Sequence, residues 1–422
     1  MSKIAENERI VVTGMSAITP IGLTLEDSWH NLCNGVSGIS KIDVFDTENL
    51  KNKIAGLVKG FDSKKLFDRK FIRRTDRMHQ FFMTAADACL KDSSFVVDFG
   101  KRFNYSVVGT SCLGGYRLFE NNCINYYKNF NPNKVSPFLI LNLASNVIAG
   151  DVAKKYSLMG PQHFLQEACA SGTKALGLAY QLIKYNEIDG ALVVGSEAGI
   201  TPTIMAALGN LTALADSKWN DEPEKASRPF DKERSGFVIS EGAGAIFVER
   251  LSSALNRNAR IYAEVSGFGA TTDSSHSIAP NPDGIAIVEC IERALRDAKV
   301  SEKDVDYINA HGTSTKINDL VETQAIKKIF KDYAYKIPIS SNKSMIGHLL
   351  GASGLVEAIF TIKTIVEGII PPTINLENQD PECDLDYVPL VARKKEVNVA
   401  LSNSFGFGGV NGSIVLKKYN EI

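Results

Sequence analysis

Three residues have the types and settings of a reactive centre. The chain of 422 residues holds seven cysteines and six histidines. Cys169 stands in HFLQEACASGTKALGLAYQLIKY, between a short apolar stretch and a run with Ala175, Leu176, Ala179, Leu182 and Ile183 at helical spacing. A thiol at a helix N-terminus faces unpaired amides and the positive end of the dipole, which favour the nucleophilic thiolate. The small residues Ala170, Ser171 and Gly172 let a substrate or another chain segment come close. The same local sequence also fits an inert buried thiol. That is the reading given to Cys33, Cys89, Cys123, Cys290 and Cys383; Cys112, in GTSCLGG, has a weaker helix-start signature.

His311, in YINAHGTSTKINDLVE, and His348, in SSNKSMIGHLLGASGLVEAIF, each lie where a strand gives way to a helix. Neutral imidazoles there can donate hydrogen bonds to developing negative charge. His30, His79 and His163 read as satisfied structural groups. No HExxH motif or paired Cys/His spacing is present, so no metal site is expected. Near the C-terminus, Phe405-Gly406-Phe407-Gly408-Gly409 precedes a strand pattern rather than a helix, which argues against a dinucleotide loop. Two readings stay open for it: exposed amides forming one arm of an oxyanion hole, or a tight hairpin.

The elements that must position these groups alternate. Arg9–Thr13, Ser106–Gly109, Gly190–Gly195, Gly244–Glu249, Ile261–Val265, Val305–Asn309 and Val397–Ser402 read as buried strands. Ile285–Lys299 and Asp319–Phe330 carry helical periodicity. The class is therefore α/β. A faint internal echo accompanies the alternation. Gly109-Thr110-Ser111 returns as Gly312-Thr313-Ser314, Ala170-Ser171-Gly172 as Ala352-Ser353-Gly354, and Arg9-Ile10 with Gly14 as Arg260-Ile261 with Gly267. Their common order predicts two related halves, the first longer in its loops. If the halves pack about a pseudo-twofold axis, Cys169, His311 and His348 all fall at strand ends around one pocket.

Composition narrows the function. Lys plus Arg number 47 against 48 Asp plus Glu, so a general nucleic-acid surface is not expected. A hydrophobic fraction of 44% with 23% charged residues is globular usage. There is no membrane-length apolar run, the start MSKIAENERIVVTG has no secretory pattern, and the scattered cysteines read as reduced thiols, so a cytoplasmic setting is expected. One segment departs from neutrality. KKLFDRKFIRRTDR, residues 64–77, holds seven cations and two acids, a surplus of five positive charges that would steer an acidic partner.

Together these segments resemble the β-ketoacyl-acyl-carrier-protein synthases, thiolase-fold condensing enzymes, and among them the elongating type II synthases of bacterial fatty acid synthesis. The resemblance runs from RIVVTGMSAITPIG through ASRPFDKERSGFVISEGAG and PPTINLENQDPECDLDYVP to SNSFGFGGVNGSIVL. It implies a layered α-β-α-β-α fold in two halves with pseudo-twofold symmetry, residues 1–255 carrying the nucleophile and 256–422 the two histidines. It implies that Cys169 takes the acyl group as a thioester, while His311 and His348 promote malonyl decarboxylation and stabilise the enolate. Lys343 would support them, linked to Glu357. The amides of Cys169 and Phe405 would form the oxyanion hole, Phe405 also gating. Thr313 and Thr315 would bind the phosphopantetheine arm, with Leu113 and Ile278 at the acyl pocket. Lys64, Lys65, Arg69, Lys70, Arg73, Arg74 and Arg77 would dock an acyl carrier protein. No metal or other cofactor is implied, and a homodimer is expected.

Some residues depart from the pattern. Lys316 follows Thr315 where elongating synthases usually carry proline, Leu113 stands where isoleucine is common, and Ile278 replaces an often polar residue. These departures admit a second pathway: a type II polyketide or polyene ketosynthase, possibly paired with a chain-length partner as a heterodimer. A silent scaffold subunit is opposed by the presence of Cys169, His311, His348 and Lys343. A thiolase is opposed by the two-histidine pattern.

Overall fold

The structure, a computed structural model, describes residues 9–420. Ten strands carry the fold: β1 (Ile10–Ile18), β2 (Tyr105–Thr110), β3 (Gln162–Leu165), β4 (Gly190–Glu197), β5 (Gly242–Arg250), β6 (Ala263–Thr272), β7 (Tyr307–Asn309), β8 (Ile339–Ser340), β9 (Val399–Gly406) and β10 (Val410–Lys417). They run side by side in the order β8-β7-β9-β10-β6-β1-β5-β4-β2-β3. Read from either outer edge inward, each set of five strands has the same order: third, second, fourth, fifth, first. The pairings repeat too. β2 is parallel to β3 and β4 as β7 is to β8 and β9, and the remaining contacts within each set are antiparallel. The two sets meet where Val11 and Val12 of β1 pair with Glu264 and Ala263 of β6. The echo in the sequence is thus a repeated topology.

Helices α1 (Arg77–Ser93), α2 (Asn146–Tyr156) and α3 (Ser171–Lys184) belong to the first set; α4 (Ile285–Ala298), α5 (Lys316–Phe330) and α6 (Ser353–Glu367) belong to the second. Strand residues alternate between two cores because successive side chains point to opposite faces. Ala191 and Val193 of β4 pack with α3 and α6, whereas Leu192 and Val194 pack with α1 and α2. In the second set, Tyr307 and Ala400 face α3 and α6, while Ile308 and Leu401 face α4 and α5. The result is five layers, α-β-α-β-α, with α3 and α6 at the centre. Strands covered on both faces read as unbroken apolar runs, which is why GALVVG is buried throughout.

Residues Ser353–Ile365 of α6 are all buried, as expected for a helix apolar on every side. Glycines let the two central helices touch. A Cβ on Gly172 would meet the Leu355 amide nitrogen at 2.5 Å, and one on Gly354 would meet Thr173 Oγ1 at 2.2 Å. The small residues around Cys169 therefore serve helix contact. Among the described residues no helix is long and apolar enough to cross a membrane. The longer loops of the first half, residues 111–145 and 198–241, include helices Tyr116–Asn129 and Pro202–Asn210.

Candidate active site

Cys169 sits in a single 3-10 turn, Ala168–Ala170, that leads into α3. Its counterpart in the repeat, Leu350–Ala352, leads into α6. Ala168 and Leu350, the first residues of these turns, both adopt left-handed backbone, with φ of +48° and +44°. Non-glycine residues hold that conformation at a cost of roughly 1–2 kcal/mol, so tertiary contacts must enforce it. His311 lies two residues beyond β7. His348 joins the group from a loop whose backbone pairs with Ile239.

The repeat brings the three together. One ligand atom each of Cys169, His311 and His348 lie within 4.8 Å of one another, and all three residues are buried. The imidazoles stand edge to face, their centroids 5.5 Å apart. Phe405 packs against His311 and Phe237 against His348 in the same manner.

Hydrogen bonds assign work to each ring. The Leu350 amide donates to His348 Nδ1 at 3.2 Å, with Ser353 Oγ 2.8 Å from the same atom. Nδ1 therefore accepts, and the proton of the neutral ring sits on Nε2. That Nε2 is buried with no hydrogen-bond partner, as is Nδ1 of His311. Burial, with the nearby Lys343 cation, holds both histidines well below their ordinary pKa. They are neutral at pH 7. The trio has the spacing of a metal site, but a protonated Nε2 offers no lone pair to a cation. It is a set for moving protons and holding an anion.

The thiol does not follow the helix-dipole expectation. Burial pushes Cys169 up to about 11, opposed by Lys343 and by the Phe407 N–H directed at its sulfur. At neutral pH it rests as a thiol, so attack requires a proton acceptor, and neutral imidazoles lie beside it.

Lys343 is buried behind the trio. Its ammonium donates to the His311 main-chain carbonyl at 2.7 Å and pairs with Glu357. Two carboxyls that sequence reading missed anchor the loops. Glu322 receives the His311 and Gly312 amides at 2.8 and 2.9 Å. Glu197 receives those of Cys112, Leu113 and Gly351. Burial raises both to about 7. A signal for Glu322 existed: an acid among Val321, Ala325 and Ile326, on the inward face of α5.

The trio forms the floor of a cavity of about 510 Å3. Leu113, Ile278, Thr313, Thr315 and Phe405 line it, as does Cys112. Thr313 and Thr315 hydroxyls are 2.9 Å apart. Ile204, Leu208 and Leu211 add an apolar wall from the helix Pro202–Asn210 and its C-cap, so the extra loop material of the first half builds the pocket. Leu113 closes over Gly199, whose Cβ would strike Leu113 Cδ1 at 2.2 Å.

Phe405 and Phe407 are placed differently around the sulfur. Phe405 lies within β9, paired with Asn411, and its carbonyl faces His311. The chain then turns through Phe407–Gly409, with Gly408 and Gly409 at φ of +81° and +72°. It is the Phe407 amide that reaches the sulfur, and its half-buried side chain lines the cavity. The FGFGG segment is both a hairpin and a source of an inward amide.

The basic segment is no single helix. Aspartates 62, 68 and 76 each cap a new helix start, giving Ser63–Leu66, Arg69–Arg74 and α1. Lys64, Lys65, Arg69, Lys70 and Arg73 are exposed, and Arg74 is half-buried over Phe71. Arg77 stands apart: it grips buried Glu241 through two hydrogen bonds and the Val58 carbonyl through a third, so its charge is engaged within the fold. None of the seven lines the cavity.

Residues 7–254 match the family described as beta-ketoacyl synthase, N-terminal domain, and residues 262–377 match beta-ketoacyl synthase, C-terminal domain. The 3-oxoacyl-[acyl-carrier-protein] synthase 2 of Synechocystis sp. is 44% identical over 98% of this chain and 99% of its own length. The synthase of that name from Coxiella burnetii is 42% identical over 98% and 99%. Among solved structures, a beta-ketoacyl synthase from Burkholderia phymatum superposes with a TM-score of 0.90 at 31% identity, covering 98% of this chain and all of that one. A type II polyketide ketosynthase in complex with its acyl-carrier protein gives 0.90 at 32%, over 98% and 100%. The ishigamide ketosynthase/chain length factor gives 0.89 at 31%, over 98% and 100%.

Proposed function

Because the chain belongs to the beta-ketoacyl synthase family, we propose that it extends acyl chains by decarboxylative condensation with malonyl-acyl-carrier-protein, as a 3-oxoacyl-acyl-carrier-protein synthase of fatty acid elongation. The reading rests on one observation: a sulfur and two imidazoles within 4.8 Å of one another at the floor of a largely apolar cavity. Identities of 44% and 42% to proteins named 3-oxoacyl-[acyl-carrier-protein] synthase 2 favour the fatty acid pathway, whereas the solved structures, at 31–32% for a beta-ketoacyl synthase and for the two other ketosynthases alike, do not separate the pathways.

The chemistry divides in two. In the first half-reaction the Cys169 thiol attacks the acyl thioester carbonyl and its proton passes to a neighbouring imidazole. The Cys169 and Phe407 amides hold the tetrahedral oxyanion. Collapse expels the carrier thiolate, which takes up the proton, leaving acyl-Cys169. In the second, malonyl-carrier loses CO2. Its C–C bonding pair becomes an enolate, whose oxygen is held by the N–H of His348 and by His311. The enolate carbon attacks the acyl-Cys169 carbonyl, the C–S bond breaks, and the expelled Cys169 thiolate takes up one proton from solvent, the proton that the overall condensation consumes. Decarboxylation supplies the carbanion without a strong base. No redox or metal chemistry is required.

Thr313 and Thr315 would bind the amides of the phosphopantetheine arm, Leu113 and Ile278 would shape the acyl end, and the exposed cations of residues 64–74 would dock the carrier. The division at residues 255 and 256 separates the sulfur-bearing half from the imidazole-bearing half. Strand β3 pairs only with β2 among the described residues, and the open edge it leaves supports pairing with a second copy of the chain.

The test is reconstitution with acyl-carrier and malonyl-carrier thioesters, read by mass spectrometry. The wild-type chain should give an acyl-enzyme and a 3-oxoacyl product two carbons longer. Cys169→Ala should form no acyl-enzyme. His311→Ala and His348→Ala should acylate yet fail to release CO2. An acyl-enzyme on the Cys169→Ala protein would refute the assignment.

A further inference from the structure

We infer that Lys316 is a recognition residue for the phosphate of the substrate-bearing arm, an inference that rests on the proposed condensation of phosphopantetheine thioesters. Residues 311, 313, 315 and 316 climb one wall of the cavity from floor to rim. His311 is 2% exposed at the floor, Thr313 is 6% exposed, Thr315 is half-buried, and Lys316 is exposed at the rim; all four line the cavity. A phosphopantetheine thioester presents the same sequence of chemistry: a reacting carbonyl at its tip, two amides along its length, and a phosphate at its far end. Neutral imidazole and sulfur match the first, paired hydroxyls the second, and an ammonium the third.

The ammonium is available for this. It makes no hydrogen bond or ion pair among the described residues. Asp273, the one acid among the residues lining the cavity, is occupied: it receives Ser275 and the Asn281 amide. The backbone beneath Lys316 is fixed, since Arg234 donates to the carbonyls of Thr315 and Lys316 at 3.3 and 3.0 Å. The stem therefore leaves a rigid platform, and only a flexible, hydrated cation must be ordered by the ligand. The phosphodiester monoanion of a carrier-linked arm and the phosphomonoester of the free arm both present charged oxygens to a lone rim ammonium, and each charge-assisted bond is about twice as strong as a neutral one.

The experiment measures protection of Cys169 from iodoacetamide in the full chain by S-methylpantetheine and by its 4′-phosphate, with alkylation followed by mass spectrometry. The wild-type protein should be protected by the phosphate ester at roughly fivefold lower concentration than by the uncharged arm. Lys316→Gln should bring the two concentrations together, and Lys316→Arg should keep them apart. Equal protection by both compounds in the wild-type protein, or an undiminished preference in Lys316→Gln, overturns the inference. The readout needs no turnover, so a chain that bound the arm with this preference but made no 3-oxoacyl product would refute the condensation reading and leave the Lys316 contact standing.

Discussion

Gly406 lies against the Cys169 amide: a Cβ on Gly406 would stand 3.0 Å from that nitrogen and 3.2 Å from the amide of Ala170. The end of β9 thus presses directly on the backbone that carries the sulfur, one residue before Phe407. Gly406→Ala should slow acyl-enzyme formation by roughly 10²-fold, the usual loss when one oxyanion donor is displaced, while melting within a few degrees of wild type. Mass-spectrometric time courses decide this; an unaltered acylation rate would remove the amides from the mechanism.

Lys343 and Glu357 form a buried pair, both 1% exposed at the side chain. Lys343→Met leaves the carboxyl without its cation and should cost about 3 kcal/mol by denaturant unfolding. Adding Glu357→Leu should restore most of that stability, because both charges are then gone. Condensation should not return with it. Recovery of activity in the double variant would make the ammonium dispensable.

The pH profile of Cys169 alkylation follows from burial. With the thiol pushed up to about 11 and both histidines uncharged, the thiolate fraction rises tenfold per pH unit throughout the neutral range. The alkylation rate should therefore climb steadily from pH 6 to 9.5. A plateau beginning near pH 6 would indicate a standing thiolate–imidazolium pair instead.

Charge reversal at Lys70 and Arg73, exposed and away from the cavity, should raise KM for carrier-linked substrates roughly tenfold at low salt, with a smaller effect on pantetheine thioesters. Equal effects on both substrate types would take carrier docking away from this segment.

Much of this was legible in the chain because its cues are local. Cys169 announces itself by the helix that follows, and the expected strand at Gly190–Gly195 falls inside β4, Gly190–Glu197. The repeat surfaced through three short matches that mark structurally constrained places, such as the Gly172 and Gly354 crossing. What escaped was non-local. Glu197 receives amides from residues 84 and 154 positions away, and no periodicity encodes that. Phe405 ends a strand and Phe407 opens a turn with two positive-φ glycines, and composition could not say which amide turns inward.

The repeat has a further consequence. The position matching Cys169 in the second half is Gly351, where any side chain would run into the Cys112 amide at 2.4 Å. The duplicated scaffold therefore holds a spare nucleophile seat that is permanently walled up, its own amide tethered to Glu197. The present chain is committed to a single direction of substrate entry, and any attempt to engineer a second reactive centre by symmetry must first move residue 112.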